Sequence, residues 1–481
     1  MNQKNKITIV GGGTAGLVSA LMLKSKYSNF DISLIKSSRI GIIGVGEGST
    51  EHWKDFLVQT QIDFKDLIKY ADASIKGGVY FTDWTPKPYF HNLTKEFEFF
   101  VGQKQYNFMN YYKNNIPQLE TTGNWFLKDN ITDVDNPSNQ FHFNTFKLND
   151  YLQKICLERD IEIIEDEISD VLIGEKGIEK IRGDKGWYES DFYIDSTGFR
   201  KILISKLGSK WISYKEYLPL NEAIAFPTND TETYPAYTLA KAMKYGWMWR
   251  IPVYGRWGNG YIFDNNYINA DQAKKEVEEY LGYEVKIGKN IKFEAGRINN
   301  SWIKNCLAVG LSSSFLEPLE ATSIGYAITQ INLFINYYNL NYCENDINIY
   351  NSKIKSVMEN MRDFVQLHYL VDRNDTNFWR NVKSIKISDT LKSNLKKWEH
   401  RFPIREDFTD TSYLMFYENN FASVLYGLEL VNRNSVNEEM NTLSKIYADD
   451  FEKHNTMWKN TRDNNNYIDH KTYLTNVRSN I

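Results

Sequence analysis

Four groups of residues carry usable functional groups, and each asks for a different partner. Gly11-Gly12-Gly13-Thr14-Ala15-Gly16 fits G-x-G-x-x-G, placed between a short apolar run at residues 7–10 and a helical pattern at 17–25. Gly11, Gly13 and Gly16 let the backbone turn sharply and approach a pyrophosphate. The N–H groups at the start of the helix, around Thr14 and Ala15, then carry its charge. Lys76 stands in KGGVYFTDW, among apolar and aromatic neighbours. Most lysines are solvated, but a desolvated ammonium has a lowered pKa and can serve as a general acid or a nucleophile. Glu320, in EPLEATS, is a lone carboxylate in a loop of small residues, ordinarily solvated unless a cation partners it. Trp247 and Trp249, in WMWRIP, fall on one side of a strand, and Pro252 then stops hydrogen-bonded pairing. Two adjacent indoles make either a bulky wall beside a ligand or an aromatic core strand.

The nucleotide pattern departs from the usual one at a single place. An acidic residue is expected about 20 positions after the glycines, where it would hold the ribose hydroxyls. That place holds Lys36, followed by Ser37 and Ser38, so a hydroxyl or backbone group has to replace the carboxylate. A second glycine-rich stretch, residues 41–48, leads into Ser49. It can lay backbone against the cofactor, with Gly46, Glu47 and Ser49 in contact, or it is only a flexible loop. Asp195-Ser196-Thr197-Gly198 ends the apolar segment 192–194, which would return Asp195 and Gly198 to the same crevice. Leu311, just after the apolar strand 307–309, joins the cofactor-binding candidates.

The elements that must position these groups interleave rather than separate. Residues 5–36 read as strand, turn, helix, strand, which is one βαβ unit. A helix at 148–158 precedes a strand at 161–164 and a hairpin-like stretch at 171–188. Helical spacing runs through 325–338 and 354–371, and the C-terminal third is mostly helical, its pieces separated by Asn-rich loops such as 464–466. With 481 residues the chain can bury a large core. Its net charge of -4 gives no basic field for nucleic acid. Three widely spaced cysteines suggest neither a disulfide framework nor a zinc site, and seven histidines show no metal-ligand spacing. No apolar leader or span-length segment is visible, so a cytoplasmic protein without nucleic-acid or membrane partners is expected. The 12 Trp and 32 Tyr exceed what an ordinary core needs.

The lysine, tryptophan and EPLEATS clusters, in this order along the chain, resemble signatures of the flavin-dependent tryptophan halogenases. The resemblance spans residues 5–380, with NCLAVGLSSSFLEPLEATS, residues 305–323, as its longest continuous part. It implies an α/β fold: an FAD-binding Rossmann-like core with an interleaved β-sheet substrate region, at 1–380, and a helical part at 381–481 that completes the substrate pocket. It further implies reduced FAD from a separate flavin reductase, a halide ion (chloride, bromide or iodide) and an aromatic substrate. Lys76 would either hydrogen-bond hypohalous acid or become a haloamine, with Glu320 as its partner. The backbone at Thr322 and Ser323 would cradle the halide. Ala321 and Ser323 stand where family members often have Ser and Gly. Trp247 and Trp249 would keep the organic substrate from the flavin, and Pro318 would line the substrate site with them. His91, in FHN, resembles the pocket wall, although a satisfied structural histidine is the commoner case, and HYLVDRNDTNFW at 368–379 resembles a further family segment. No second G-x-G-x-x-G serves a nicotinamide, which agrees with flavin arriving already reduced. Little of the resemblance continues past residue 400, where the tryptophan-specific enzymes clamp the amino acid. A more open pocket, taking free indoles and phenols, is the expectation, and a homo-oligomer is compatible with it. The Asn- and Lys-rich composition is also similar to that of a cyanophage member, which implies a host cytoplasm. A flavin-dependent aromatic hydroxylase shares the FAD-binding architecture, and a non-catalytic flavin-binding scaffold is the reading from another class.

Overall fold

A computed structural model describes residues 5–44, 48–92, 106–120, 131–133, 140–410, 412–445, 453, 456, 460 and 467–479. Gly46 and Glu47, and the Asn-rich loop at 464–466, lie outside the described residues. The chain divides into two compact units, each built from three segments: Met1–Ala73, Phe143–Lys215 and Glu294–Met358 in the first, and Ser74–His142, Glu216–Phe293 and Glu359–Ile481 in the second. Interleaving was expected. The helices after residue 380 lie in the second unit with residues 74–142 and 216–293.

The first unit holds a six-stranded sheet in the order Trp302–Ile303, Cys306–Ala308, Phe192–Asp195, Lys6–Val10, Asp31–Lys36, Glu162–Glu165. All its pairs are parallel except the outer Trp302–Ile303 hairpin. Runs such as ITIV and FYI are apolar without alternation because both sheet faces are covered. Val10 lies opposite Asp195, so the glycine turn and the Asp195 turn leave the sheet side by side at its carboxyl edge. That edge is where ligands bind in open α/β sheets. The helix after the glycines runs Thr14–Lys26, starting earlier than its apolar spacing indicates. The helix expected at 148–158 likewise starts early, at Thr145–Glu158, because the Asn144 side chain caps it by accepting from the Phe146 amide. The hairpin expected at 171–188 is a three-stranded meander, Ile168–Gly174, Gly177–Gly183 and Gly186–Tyr188.

The second unit holds a seven-stranded sheet in the order Lys289–Lys292, Glu222–Thr228, Arg256–Phe263, Gly246–Val253, Thr238–Met243, Gly78–Thr82, Tyr89–Asn92. Its one parallel pairing joins Thr238–Met243 to Gly78–Thr82. Ile224, Met248, Tyr261, Phe263 and Val277 form a core on one side of it. Two short antiparallel pairs attach further segments: Ser74–Ile75 with Phe141–His142, and Ile131–Asp133 with Tyr467–Asp469. Among the described residues no helix is long and apolar enough to cross a membrane.

Candidate active site

In the first unit, parts far apart in sequence converge at the carboxyl edge of the parallel sheet. A side chain at Gly16 would collide with the Gly11 carbonyl and with Ser196 Oγ, whereas nothing lies within 4 Å of a Cβ at Gly13. The loop is therefore tight where it packs on protein and open where a phosphate would sit. Helix Thr14–Lys26 has extended Gly13 at its N-cap, with no capping side chain and no acidic residue in its first turn. Its free N–H groups and positive end are left for an anion. Thr14 Oγ1 donates to Asn149 Oδ1 at 2.8 Å, while Asn149 Nδ2 is buried with no hydrogen-bond partner among the described residues. A side chain at Gly310 would come within 2.7 Å of Ala15, which brings the half-buried Leu311 beside the same loop. These features fit an FAD pyrophosphate.

Two of the expected contacts take a different form. Lys36 donates to Gln153 Oε1 at 2.5 Å, and its stem crosses Gly12, so the strand end presents an ammonium where a carboxylate is usual. Asp195 is fully buried and already accepts five protein hydrogen bonds: Thr197 N–H and Oγ1 and Ser312 Oγ on Oδ1, Leu203 and Ile204 N–H on Oδ2. Its carboxylate fastens the turn through Gly198, which has φ +67.

The same unit builds the carboxylate end. Pro318 opens a 3₁₀ turn, Pro318–Glu320, and Ala321 follows at φ 55 and ψ 37 as the N-cap of helix Thr322–Tyr337. An alanine in left-handed geometry is strained by about 1–2 kcal/mol, a feature that clusters at functional sites. Helix Thr322–Tyr337 has no capping side chain and no acidic first turn, and Thr322 Oγ1 is buried with no partner among the described residues. Glu320 is 1% exposed. A Cβ at Gly48 would stand 3.0 Å from Ala321 Cβ, so the second glycine stretch abuts this helix head, next to the buried Ser49. Gly48 is the last of the alternating glycines, Gly44, Gly46 and Gly48, that mark this stretch in the sequence.

In the second unit Lys76 is 0% exposed. It follows strand Ser74–Ile75 and precedes Gly78, where any side chain would meet the Phe90 ring and the His91 carbonyl. His142, also fully buried, lies opposite Ser74. Ser74 Oγ donates to the Pro252 carbonyl at 2.5 Å, and so it accepts from His142 Nδ1 at 3.2 Å. His142 Nε2 then accepts from Thr238 Oγ1 at 2.8 Å. Burial, and after it the charges of Lys76 and His470, push the His142 pKa well down and keep the ring neutral. Sequence reasoning missed His142. Its signal was only an alternation, FHF, that puts a polar ring on a buried strand face.

Trp247 and Trp249 are both buried on strand Gly246–Val253, with ring centroids 6.1 Å apart and planes at 56°. Trp247 lies opposite Ala242 and Ile262, Trp249 opposite Ala240 and Gly260. The expected end of pairing at Pro252 holds on one side only. Pairing with Thr238–Met243 stops at Arg250, but pairing with Arg256–Phe263 continues through Pro252 to Val253. His91 is fully buried, accepts from Asn420 Nδ2 at 3.0 Å and packs edge-on to Phe364. That is the geometry of a satisfied core histidine.

A family model described as tryptophan halogenase matches residues 6–442. The chain belongs to the tryptophan halogenase family. It is 28% identical over 457 residues to the tryptophan 6-halogenase SttH of Streptomyces toxytricini, covering 85% of this chain and 86% of SttH. With the tryptophan 7-halogenase RebH of Lentzea aerocolonigenes it shares 27% over 483 residues, covering 89% and 90%. The solved structure of Tar14, a tryptophan C-6 flavin-dependent halogenase from taromycin biosynthesis, superposes with a TM-score of 0.91 at 26% identity, covering 99% and 100%. This halogenase is thus an FAD-dependent oxidoreductase that uses halide, with reduced FAD coming from a separate reductase as is the norm in its family. The family membership decides against the aromatic hydroxylase and the non-catalytic scaffold.

Proposed function

We propose that this halogenase acts on free electron-rich arenes, indoles and phenols, through Lys76 and Glu320. The observation that carries the reading is the complete burial of Lys76, since a lysine is almost never fully buried without a partner or a task. The glycine loop 11–16, with Gly198, Leu311 and Ser49, would hold FAD, and Lys36 would stand near its adenosine end. Bound reduced FAD supplies the two electrons with which oxygen and halide give hypohalous acid and water. The N–H groups at Thr322 and Ser323 hold the halide at an uncapped helix head. Trp247 and Trp249 wall the arene away from the cofactor, with Pro318 at the substrate site.

The Lys76 ammonium donates to the hypohalous oxygen and polarises the O–halogen bond. The arene carbon takes the halogen, the O–halogen bond breaks with its electrons to oxygen, and the Lys76 proton completes a water molecule. Glu320 accepts the proton released from the arene carbon and returns it to Lys76, so arene and hypohalous acid become haloarene and water. The neutral His142 beside Lys76 is consistent with a lysine that works as a charged donor. An open pocket for free arenes rests on the sequence resemblance thinning after residue 400, although the family model runs on to residue 442. A viral source and host-cytoplasm setting rest on Asn- and Lys-rich composition alone.

The test supplies reduced FAD through a separate reductase with chloride, bromide or iodide and a panel of indoles, phenols and tryptophan. Halogen isotope patterns in several free arenes are expected by mass spectrometry. Hydroxylated products without halogen overturn the reading, and product from tryptophan alone overturns the open pocket.

A further inference from the structure

The family match ends at residue 442, yet the chain beyond it returns to the lysine. Strand Tyr467–Asp469 pairs with Ile131–Asp133 and runs straight into helix His470–Ser479. His470, the first residue of that helix, is fully buried. The Ile75 amide donates to His470 Nε2 at 2.9 Å, so that nitrogen carries no proton. The ring proton sits on Nδ1, which faces the Tyr234 carbonyl at 3.3 Å.

The next two amides along the chain are held as well. Lys76 N–H donates to the Gln140 carbonyl at 2.9 Å, and Gly77 N–H to the Ala236 carbonyl at 2.6 Å. Three consecutive amides centred on the lysine are therefore fixed by three remote stretches of chain. The terminal helix also has its own hold on the stretch that anchors the histidine, because Lys471 Nζ donates to Asp230 Oδ2 at 2.7 Å.

We infer that His470 is a positioning residue for Lys76, fixing the backbone at residues 75–77, and so the place of the ammonium, through the Ile75 amide. The inference rests on the reading of Lys76 as the halogenating lysine. A buried amide stripped of its acceptor has to find another or open the local backbone. A displacement of about 1 Å at a reacting group lowers a rate by roughly a hundredfold.

The experiment uses the full chain with reductase-supplied reduced FAD, bromide and an indole that the wild type brominates. In His470→Leu, kcat for brominated product is expected to fall by about tenfold to a hundredfold while the arene KM and the rate of reduced-flavin oxidation change by less than about twofold. His470→Gln, whose amide oxygen can accept from Ile75, is expected to recover most of that loss. In parallel, hydrogen exchange of a peptide over residues 72–80 should quicken in His470→Leu, while peptides over the glycine loop 11–16 stay as they are. Should the leucine variant fail to fold, His470→Asn, with a shorter reach, carries both readouts. Unchanged exchange over 72–80 overturns the anchor, and so does a loss of product that merely follows the melting temperature and is not recovered by Gln. A wild-type chain that yields no halogenated product is the separate failure of the functional reading, and it removes the positioning role with it.

Discussion

Gly260 makes room for Trp249: the indole lies over residue 260 so closely that any Cβ there would overlap its six-membered ring. The two residues face each other across strands Gly246–Val253 and Arg256–Phe263. Gly260→Ala is expected to tilt the ring and to cost about 1–3 kcal/mol, the usual range for overpacking. Trp249→Leu in the same chain removes the collision, so the double variant should lose less than the two single losses combined. Chemical denaturation of the four proteins measures the coupling. Strict additivity would show that the ring does not depend on the glycine.

Lys76→Ala is expected to keep oxidising reduced FAD while halogenated product falls by about 10²–10⁴-fold, the range for losing a positioned acid–base group. Glu320→Gln keeps the shape of the side chain but removes the base, and should fall similarly. Because the two residues are proposed to share one proton path, the double variant should be scarcely worse than either alone. Product quantified by mass spectrometry beside oxygen uptake tests this. Undiminished product from Lys76→Ala removes the lysine from the mechanism.

The nucleotide half of the fold was legible because its signals are local. Gly11 to Gly16 sit between an apolar strand and a helix, and their spacing marks the turn by itself, although the contacts that crowd Gly11 and Gly12 come from the distant Ser196 and Lys36. Asp195 shows where such reading stops. An acidic residue at a strand end looks like a ligand contact, and only the folded chain shows five protein donors already around it. The surroundings of Lys76 were still less legible. They are made by Gln140, Ala236 and His470, whose separations of 64 to 394 residues leave no periodic or motif signal. Gly260 likewise gains meaning only from a tryptophan on the neighbouring strand.

Thr322→Val separates the halide role from stability. Thr322 Oγ1 is buried with no hydrogen-bond partner among the described residues, so valine, of similar shape, removes a polar group that has lost its water. The halide-free protein should be as stable as the wild type or gain up to about 1–3 kcal/mol. If the hydroxyl completes the halide cradle with the helix N–H groups, the halide KM should rise by about tenfold, the equivalent of 1.4 kcal/mol. Thermal melts without halide and bromide titrations of the initial rate measure the two effects. A less stable halide-free variant would mean that the hydroxyl is already satisfied inside the fold.

Stability should fall as pH drops below the ordinary histidine range, for a reason readable in two buried rings. Burial lowers the His470 pKa to about 4, against the opposing Tyr234 and Pro235 carbonyls and the Asp469 charge. Burial lowers His142 further from its ordinary value, helped by the charges of Lys76 and His470, while Ser74 and Thr238 face its ring nitrogens. In the unfolded chain both rings take up a proton near pH 6.5. Between that value and the folded one the unfolded state holds more protons, so stability rises with pH in this window and is lost as pH falls through it. Each ring contributes a slope of about 1.4 kcal/mol per pH unit there and nothing above it. Urea denaturation of the wild type and of His470→Gln at pH 7, 6 and 5 isolates one ring. The glutamine variant should lose less stability between pH 6 and pH 5, by about 1.4 kcal/mol. Equal slopes would mean that His470 protonates in the folded protein as readily as in the unfolded chain, and that its bond to the Ile75 amide does not hold it neutral.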